Sequence, residues 1–420
     1  MPARIAERGK VFRDPVHRLI RVEPNDDFVL DIIDTPVFQR LRRVRQLGVS
    51  WLTFHGAEHS RFSHSLGVFN FAQRILHSLR ERYKSNEALR EYLDSHAKEL
   101  KAAALLHDVG HAPFSHLLER AFQHSPDHED TTVKLITERE SGIPQILESA
   151  DIDPANVAEI IEKTSNDRII VDIVSSQLDA DRMDYLLRDS LYTGVEYGTY
   201  DSEWVIHNLC LGKAPLPGSG SSGENEFAHH RLCLDRDRGL HSAEQLILAR
   251  LHMTIQVYMH RVTRGYEVLV LNLLQLAAQR AQNHQLPDDT PRIVRLFFEA
   301  HVLDARSAIL DGQSFRIDGA RLDPADQLQH ARAVVVLIFL LGNLVHDATS
   351  AFCVSLLLAL CSGSNRYRSA TSRATADSPA KLMNRRTMRS QYCGLISIPK
   401  QRRRMRWAAM NCVPEPANGS

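Results

Sequence analysis

The stretch LLHDVGHAPFSH, residues 105–116, constrains this chain more than any other. It gathers four side chains that can bind a metal or exchange a proton, His107, Asp108, His111 and His116, among residues apolar enough to be buried. Neighbours on a helix point about 100° apart, so His107 and Asp108 cannot both sit on one apolar stripe. A divalent ion beside the end of the helix can use both, because imidazole and carboxylate are good ligands for first-row metals. The plainer alternative is a helix C-terminus with polar residues at Gly110.

At 420 residues the chain exceeds one ordinary domain and can hold a large helical body with a small appendage. Its 43% hydrophobic and 24% charged residues are those of a soluble globular protein. The opening, MPARIAERGKVFRD, has no apolar segment of the kind a secretory signal needs. Cys210, Cys233, Cys353, Cys361, Cys393 and Cys412 include no CxxC pair, which argues against a thiolate zinc site or a disulfide framework and for a reducing cytoplasm. Basic and acidic side chains cancel at 51 each, but residues 362–420 carry twelve Lys and Arg against only Asp377 and Glu415. The first 361 residues therefore hold 39 basic and 49 acidic side chains. An acidic body is a poor general surface for nucleic acid, so an anionic substrate has to be met by local arginines.

KVFRDPVHRLIRVEP (10–24) alternates apolar and polar residues and predicts a short strand or hairpin. In DTPVFQRLRRVRQLG, Asp34 or Thr35 can cap a helix, Pro36 suits its first position, and Val37, Phe38, Leu41 and Val44 form a stripe before Gly48. WLTFHGAEHSRF reads as loop. HSLGVFNFAQRILHSLRERY returns to helical spacing through Leu66, Phe69, Ala72, Ile75, Leu76 and Leu79. A helix through LKAAALLHD follows, then shorter helical pieces between Pro113 and Ser190. Over 203–240, EWVIHNLCLG and HRLCLDRD read as two strands joined by PLPGSGSSGENE, a flexible Gly/Ser loop. From Ser242 one long amphipathic helix runs to about Ala281, and 288–322 is a further helical stretch with loops. ARAVVVLIFLLGNLV and AFCVSLLLALC are apolar all round but short of the roughly 18–20 apolar residues a membrane span needs. They read as buried helices, with a hairpin at a membrane as the alternative. From Ser362 the chain is Ser/Arg-rich, lacks periodicity and reads as disordered. The chain divides accordingly into 1–200, 201–325, 326–361 and 362–420.

The strongest ligand candidates are His64 opening HSLGV, His107, Asp108, and Asp181 inside LDADRMDYLLRDS. Each falls on or beside a predicted helix, and a bundle core can collect such ligands from facing helices. Two imidazoles and two carboxylates leave open positions on an octahedral ion for water and a phosphate oxygen.

The order H…HD…D resembles the HD phosphohydrolase superfamily. The longer strings DPVH, DTPVFQRLRRVRQLG, GAEHSRFSHSLGV, LLHDVGHAPFSH and DADRMDYLLRD resemble, more narrowly, its deoxynucleoside triphosphate triphosphohydrolases, over about residues 10–280. The resemblance implies a mainly α fold: an HD-domain helical bundle with a small β-hairpin insertion and a helical C-terminal part. It implies His64, His107, Asp108 and Asp181 as ligands of a divalent metal, with Mn, Mg, Fe, Zn and Ni all open. His111, His116 and His128 match a second histidine set around the α-phosphate, with Glu119 as acidic partner. His116, oriented by Glu119, is the expected proton donor to the leaving sugar oxygen. Any one of these histidines can equally be a hydrogen-bonded structural residue.

Arg61 matches a triphosphate-binding arginine, whose guanidinium fork suits phosphate, and Arg182 stands where many members carry lysine. Gln46 matches the glutamine that reads the sugar 3′-hydroxyl. Tyr185 and Asp189, on one helical face with Asp181, match the residues that pack on the deoxyribose and bond that hydroxyl. Tyr258, His260, Arg261 and Arg264 match a later helix near the phosphates, although an arginine-lined helix is usually a solvated face. Lys10, Val11, Asp34, Gln39 and Arg42 match a regulatory nucleotide site between subunits in allosterically activated members, and Asp34 serves equally as a plain helix cap. Arg13 and Arg18 depart from the residues usual there (Asn or similar, and Gly after the His), and nothing after about Leu322 matches the family.

The resulting expectation is a cytoplasmic, metal-dependent hydrolase that converts dNTPs to deoxynucleoside and inorganic triphosphate. The resemblance further implies a homo-oligomer, dimer or tetramer, open to activation by a nucleotide effector, with no need of nucleic acid or a membrane. Two other readings stay open: an HD nucleotidase or phosphodiesterase acting on another phosphoester, and an inactive nucleotide-sensing scaffold.

Overall fold

In the computed structural model the expected N-terminal hairpin pairs β1 (Val11–Asp14) with β2 (Arg18–Arg21), Val11 opposite Arg21 and Asp14 opposite Arg18. Asp14 sets the turn, its Oδ1 accepting the N–H groups of Val16 and His17 at 2.9 and 3.0 Å. Arg18 then adopts φ 62°, in the left-handed region that favours glycine.

The structure describes residues 9–283 apart from 115, 122–126, 214–226 and 228–229, together with residue 285 and paired strands at Arg316–Ile317, Ala320–Arg321 and Val413–Pro414. All belong to one compact unit. The apolar runs at 331–345 and 351–361, the Gly/Ser loop, most of 288–322 and the basic tail apart from Val413–Pro414 lie outside the described residues.

A helix not foreseen in the sequence, α1 (Asp27–Asp34), buries Phe28, Val29, Ile32 and Ile33. Thr35 is the cap of α2 (Pro36–Gln39), accepting from the Phe38 amide at 3.2 Å, with Pro36 at the first position. The stripe of Phe38, Leu41 and Val44 is buried. However, the helix does not reach Gly48: after a 3₁₀ turn at Arg40–Arg43 the backbone extends at Val44, whose carbonyl accepts the Arg61 amide at 2.8 Å.

That pairing launches the central helix, α3 (Arg61–Arg82), which begins ahead of the predicted His64 and buries Phe69, Phe71, Ala72, Ile75 and Leu79. After α4 (Glu87–Ser95), α5 (Ala97–Leu106) packs against α3 through a run of alanine and leucine small enough for close approach. Short helices follow: α6 (His116–Ala121), α7 (His128–Thr137), α8 (Ile143–Ser149), α9 (Pro154–Glu162) and α10 (Arg168–Val174). They lead to α11 (Ala180–Thr193), which returns to α3 and ends at Gly194 in the left-handed conformation.

Two expectations are corrected. EWVIH is not strand: Asp201 caps α12 (Ser202–His207) by accepting from the Trp204 amide at 3.0 Å, and Val205 and Ile206 bury its inner face. The strand starts only at β3 (Leu209–Lys213), antiparallel to β4 (His230–Leu234) and flanked on its other side by Val413–Pro414. The long helix begins at Arg236 and is interrupted. α13 (Arg236–Met253) widens into a π turn at Thr254–Tyr258, His260 is extended, and α14 (Arg261–Gln282) restarts. The extra residue in the π turn leaves the Tyr258 hydroxyl 2.8 Å from Asp189. The fold is thus mainly α with small antiparallel hairpins, as expected. Among the described residues no helix is long and apolar enough to cross a membrane.

Candidate active site

Helices α3, α5 and α11 bring one candidate ligand each to a common point. His64 lies in the first turn of α3, His107 caps the end of α5, and Asp181 lies in the first turn of α11. Asp179 fixes the start of α11, accepting the amides of Ser176 and Arg182 at 2.7 Å each. One donor atom from each of His64, His107 and Asp181 lies within 4.8 Å of the others. His64 Nε2 is 3.1 Å from Asp181 Oδ1 and 3.3 Å from His107 Nε2. Asp108 flanks them, 3.5 Å from His107 Nε2 and 3.6 Å from His64 Nε2, while paired to Arg61.

The far nitrogen of each imidazole is already committed. His107 Nδ1 donates to the Ala104 carbonyl at 3.0 Å, and His64 Nδ1 donates to Asp184 at 2.8 Å. Both Nε2 atoms are thereby directed at one spot. Two nitrogens bound to one first-row cation at about 2.1 Å stand roughly 3.0–3.4 Å apart, and the observed 3.3 Å satisfies that. The surrounding carboxylates also favour positive charge there. Burial opposes a charged His64, but hydrogen bonds with Asp181 and Asp184 and the charge of Asp108 outweigh it, raising its pKa to about 10. The donor set fits a divalent cation.

Asp108 Oδ1 lies 3.3 Å from His111 Nε2, linking these donors to the second histidine group. His111 is buried, and burial together with the Arg61 charge pushes its pKa down to about 3, so its ring is neutral. His128 stacks on it with centroids 3.9 Å apart and planes 12° from parallel. His111, Glu119 and His128 bring donor atoms within 4.8 Å. A cation binds in the plane of its imidazole, however, and two stacked planes cannot both contain it. The stack suits proton transfer and phosphate contact instead. Glu119 accepts from His116 Nδ1 at 3.1 Å and from His128 Nδ1 at 3.0 Å. Burial opposes its charge, yet the two histidines hold its carboxyl well below the usual range. Burial likewise opposes a charged His128, and Glu119 outweighs it to raise that pKa. His116 has a side chain 64% exposed, open to a ligand.

At the other end of α11, the Asp189 carboxylate accepts from Tyr258 Oη and from His59 Nε2, both at 2.8 Å. The rings of Tyr185 and Tyr258 meet edge to face at 6.2 Å. Gln46 donates its backbone amide to the His59 carbonyl at 3.0 Å, and its side-chain Oε1 is buried with no hydrogen-bond partner among the described residues. Arg182 is turned back on its own helix start, bonding Asp179 and the Ser176 carbonyl. His260 sits edge-on to Phe54 at 5.4 Å, Arg261 is exposed, and Arg264 pairs with Glu267. Lys10 lies over the Phe12 ring and Val11 is exposed on β1. Asp34 ends α1, and Gln39 joins the Ile33 carbonyl at 2.8 Å to Arg42 at 2.7 Å beside it.

The sequence reading passed over several residues that hold this arrangement. Arg40 donates to the carbonyls of Val109 and His111, clamping the loop after the HD pair. His59 reaches Asp189 from the loop before α3, and His17, Asp184 and Arg188 surround the back of His64. Their only sequence signal was membership of the quoted strings.

A family model described as HD domain matches residues 61–189, which hold His64, His107, Asp108 and Asp181 together with His111, His116, Glu119 and His128. An uncharacterized Bacillus subtilis (strain 168) protein, YwfO, is 42% identical over 64% of this chain and 56% of its own. The deoxynucleoside triphosphate triphosphohydrolase SAMHD1 of Homo sapiens is 31% identical over 44% of this chain and 34% of its own. A crystal structure of a phosphohydrolase from Bacteroides thetaiotaomicron VPI-5482 matches with a TM-score of 0.57 at 31% identity, covering 70% of this chain and 64% of that one. Residues 61–189 form an HD domain, and the described fold is similar to that of a phosphohydrolase. The chain spans about half the length of curated relatives such as the Bacillus subtilis protein.

Proposed function

We propose that the chain hydrolyses deoxynucleoside triphosphates to deoxynucleoside and inorganic triphosphate. The observation that carries this reading is the position of Asp108, whose carboxylate faces His64 and His107 on one side and His111 on the other. A phosphate oxygen held by the first group would therefore lie beside the proton-bearing second group. A divalent cation held by His64, His107, Asp108 and Asp181 would supply Lewis acidity toward that oxygen and a coordinated water of lowered pKa. Arg61 offers a guanidinium fork to the phosphates. His116, anchored by Glu119, donates its Nε2 proton to the leaving sugar oxygen as the P–O bond breaks.

The nucleoside end supports a deoxynucleotide over a small monoester. Gln46 Oε1 is buried without a partner among the described residues and can accept from a 3′-hydroxyl, and its backbone amide bonds His59, whose ring reaches Asp189. An aromatic ring packed on C2′ disfavours a ribose hydroxyl by sterics. The human relative's name points the same way. We further propose that Lys10, Val11, Asp34, Gln39 and Arg42 receive a nucleotide effector between subunits of a homo-oligomer, on the resemblance alone.

A product assay tests the reading. Each dNTP is incubated with Mn²⁺ or Mg²⁺, singly and with a second nucleotide, and products are separated by ion exchange. Deoxynucleoside with intact triphosphate is the expected outcome. Monophosphate with pyrophosphate, or no product from any mixture by metal-loaded protein, would overturn it.

A further inference from the structure

We infer that the N-terminal hairpin is part of the metal site: Asp184, pinned by His17 and Arg188, is a positioning residue that decides which nitrogen of His64 faces the metal. This rests on the reading of His64 as a ligand. Asp184 Oδ2 accepts from His64 Nδ1 and Arg188 Nε, each at 2.8 Å. Its Oδ1 accepts from His17 Nε2 at 2.6 Å and Arg188 Nη2 at 2.9 Å. Arg188 continues to Asp14, through Nη1 at 2.9 Å and Nη2 at 3.3 Å. Asp14 in turn accepts the His17 amide, so the four residues close a ring.

The ring is sealed from water. Asp184 and Arg188 are fully buried, and the His17 ring abuts Phe71 of α3 edge-on at 4.8 Å. The central helix makes room for it. A Cβ at Gly67, one turn after His64, would fall 1.8 Å from Asp184 Oδ1 and 2.6 Å from Arg188 Nη2. Glycine inside a helix is otherwise unfavourable, and here it admits the carboxylate to the back of His64.

A buried ion pair seldom stabilises more than well-packed apolar residues would, so fold stability alone is a weak reason for the ring. Its specific product is the tautomer of His64. With Nδ1–H bonded to a carboxylate, Nε2 keeps its lone pair for a metal. An amide in place of that carboxylate can donate to Nδ1 instead, which moves the ring proton to Nε2 and blocks ligation.

The test uses the full chain, stripped by chelator and reloaded with Co²⁺, whose visible spectrum reports the ligand set. Asp184→Asn and His17→Leu should weaken Co²⁺ binding about 10- to 100-fold, the usual effect of losing a residue that orients a ligand. His17→Gln, which restores a donor near the Nε2 position, should recover most of the affinity. Melting of the metal-free proteins establishes that each is folded, and if Asp184→Asn does not fold, the His17 pair decides. Folded Asp184→Asn and His17→Leu with wild-type affinity and spectrum would overturn the inference. Equal losses in His17→Leu and His17→Gln would do the same. Wild-type protein that binds no Co²⁺ would instead overturn the reading of His64 as a ligand.

Discussion

The backbone amide of Gly110 donates to the side-chain Oγ1 of Thr132 at 2.9 Å, which ties the loop after the HD pair to α7. A Cβ on Gly110 would fall 2.3 Å from the His128 carbonyl oxygen and 2.4 Å from the Thr132 amide nitrogen. Gly110→Ala should push α7 away and break the His111–His128 stack while leaving His64 and His107 in place. Turnover should fall by on the order of 10²-fold, the scale of acid–base catalysis, with bound metal unchanged. Metal analysis beside single-turnover rates checks this, and loss of metal in the variant would refute it.

His107→Ala should remove the metal without unfolding the chain. The ring lies at the end of α5 with its side chain only 12% exposed, but its Nδ1 bonds a carbonyl of its own helix and its Nε2 faces only the candidate ligands. Metal per chain after dialysis should drop from about one to near zero, while the far-ultraviolet circular dichroism stays native. Retained metal would remove His107 from the ligand set.

The Glu119–His128 pair gives a signed pH dependence. The raised His128 holds its proton better folded than unfolded, so its stabilisation is complete below the unfolded imidazole value and fades as pH rises through the folded one. The lowered Glu119 contributes above its unfolded value and loses that as pH falls through the folded one. The melting temperature of wild type should therefore exceed that of Glu119→Gln most between about pH 4.5 and 6.5, and the two should converge at higher pH. A gap that persists undiminished as pH rises to about 9 would contradict the pairing.

Tyr185→Leu keeps an apolar side chain in the core beside Tyr258 but removes the flat ring. Its kcat/KM for dNTPs should fall on the order of 10- to 200-fold, with a smaller effect on the matching ribonucleotides. Parallel kinetics on dGTP and GTP read this out. Equal losses on both would separate Tyr185 from sugar discrimination.

Arg18 holds φ 62° in the hairpin turn, a conformation that disfavours side chains bearing Cβ. Arg18→Gly should raise stability by about 0.5–1 kcal/mol, the relief of left-handed strain less the extra freedom of glycine in the unfolded chain. Urea denaturation measures it, and a destabilised variant would show that the guanidinium makes a stronger contact.

How much of this was legible in the sequence depends on the distance over which each relation acts. The α3 stripe of Leu66, Phe69, Ala72, Ile75, Leu76 and Leu79 was readable because periodicity is local, and all six are buried. That His64, His107 and Asp181 meet came from the resemblance, since nothing in their spacing requires it. The bonds of His17 to Asp184 and His59 to Asp189 join residues 167 and 130 positions apart, and only packing selects such partners. EWVIH was misread because a short apolar run suits strand and helix alike, and the Asp201 cap tips it to helix. The break near His260 escaped notice because a π turn barely disturbs apolar spacing.

Helix α11 faces two tasks at once. Asp181, Tyr185 and Asp189 recur every four residues along one side, while Asp184 and Arg188 occupy the adjoining side that reaches the hairpin. The rise from Asp181 to Asp189 is about 12 Å, and one residue added or removed between them would rotate everything beyond by about 100°. Such a change would turn Asp189 away from the side that carries Asp181 and also break the ring behind His64. The helix is therefore a ruler as much as a scaffold. Substitutions on it can be graded by their chemistry, whereas a change in its length cannot be compensated at any single position.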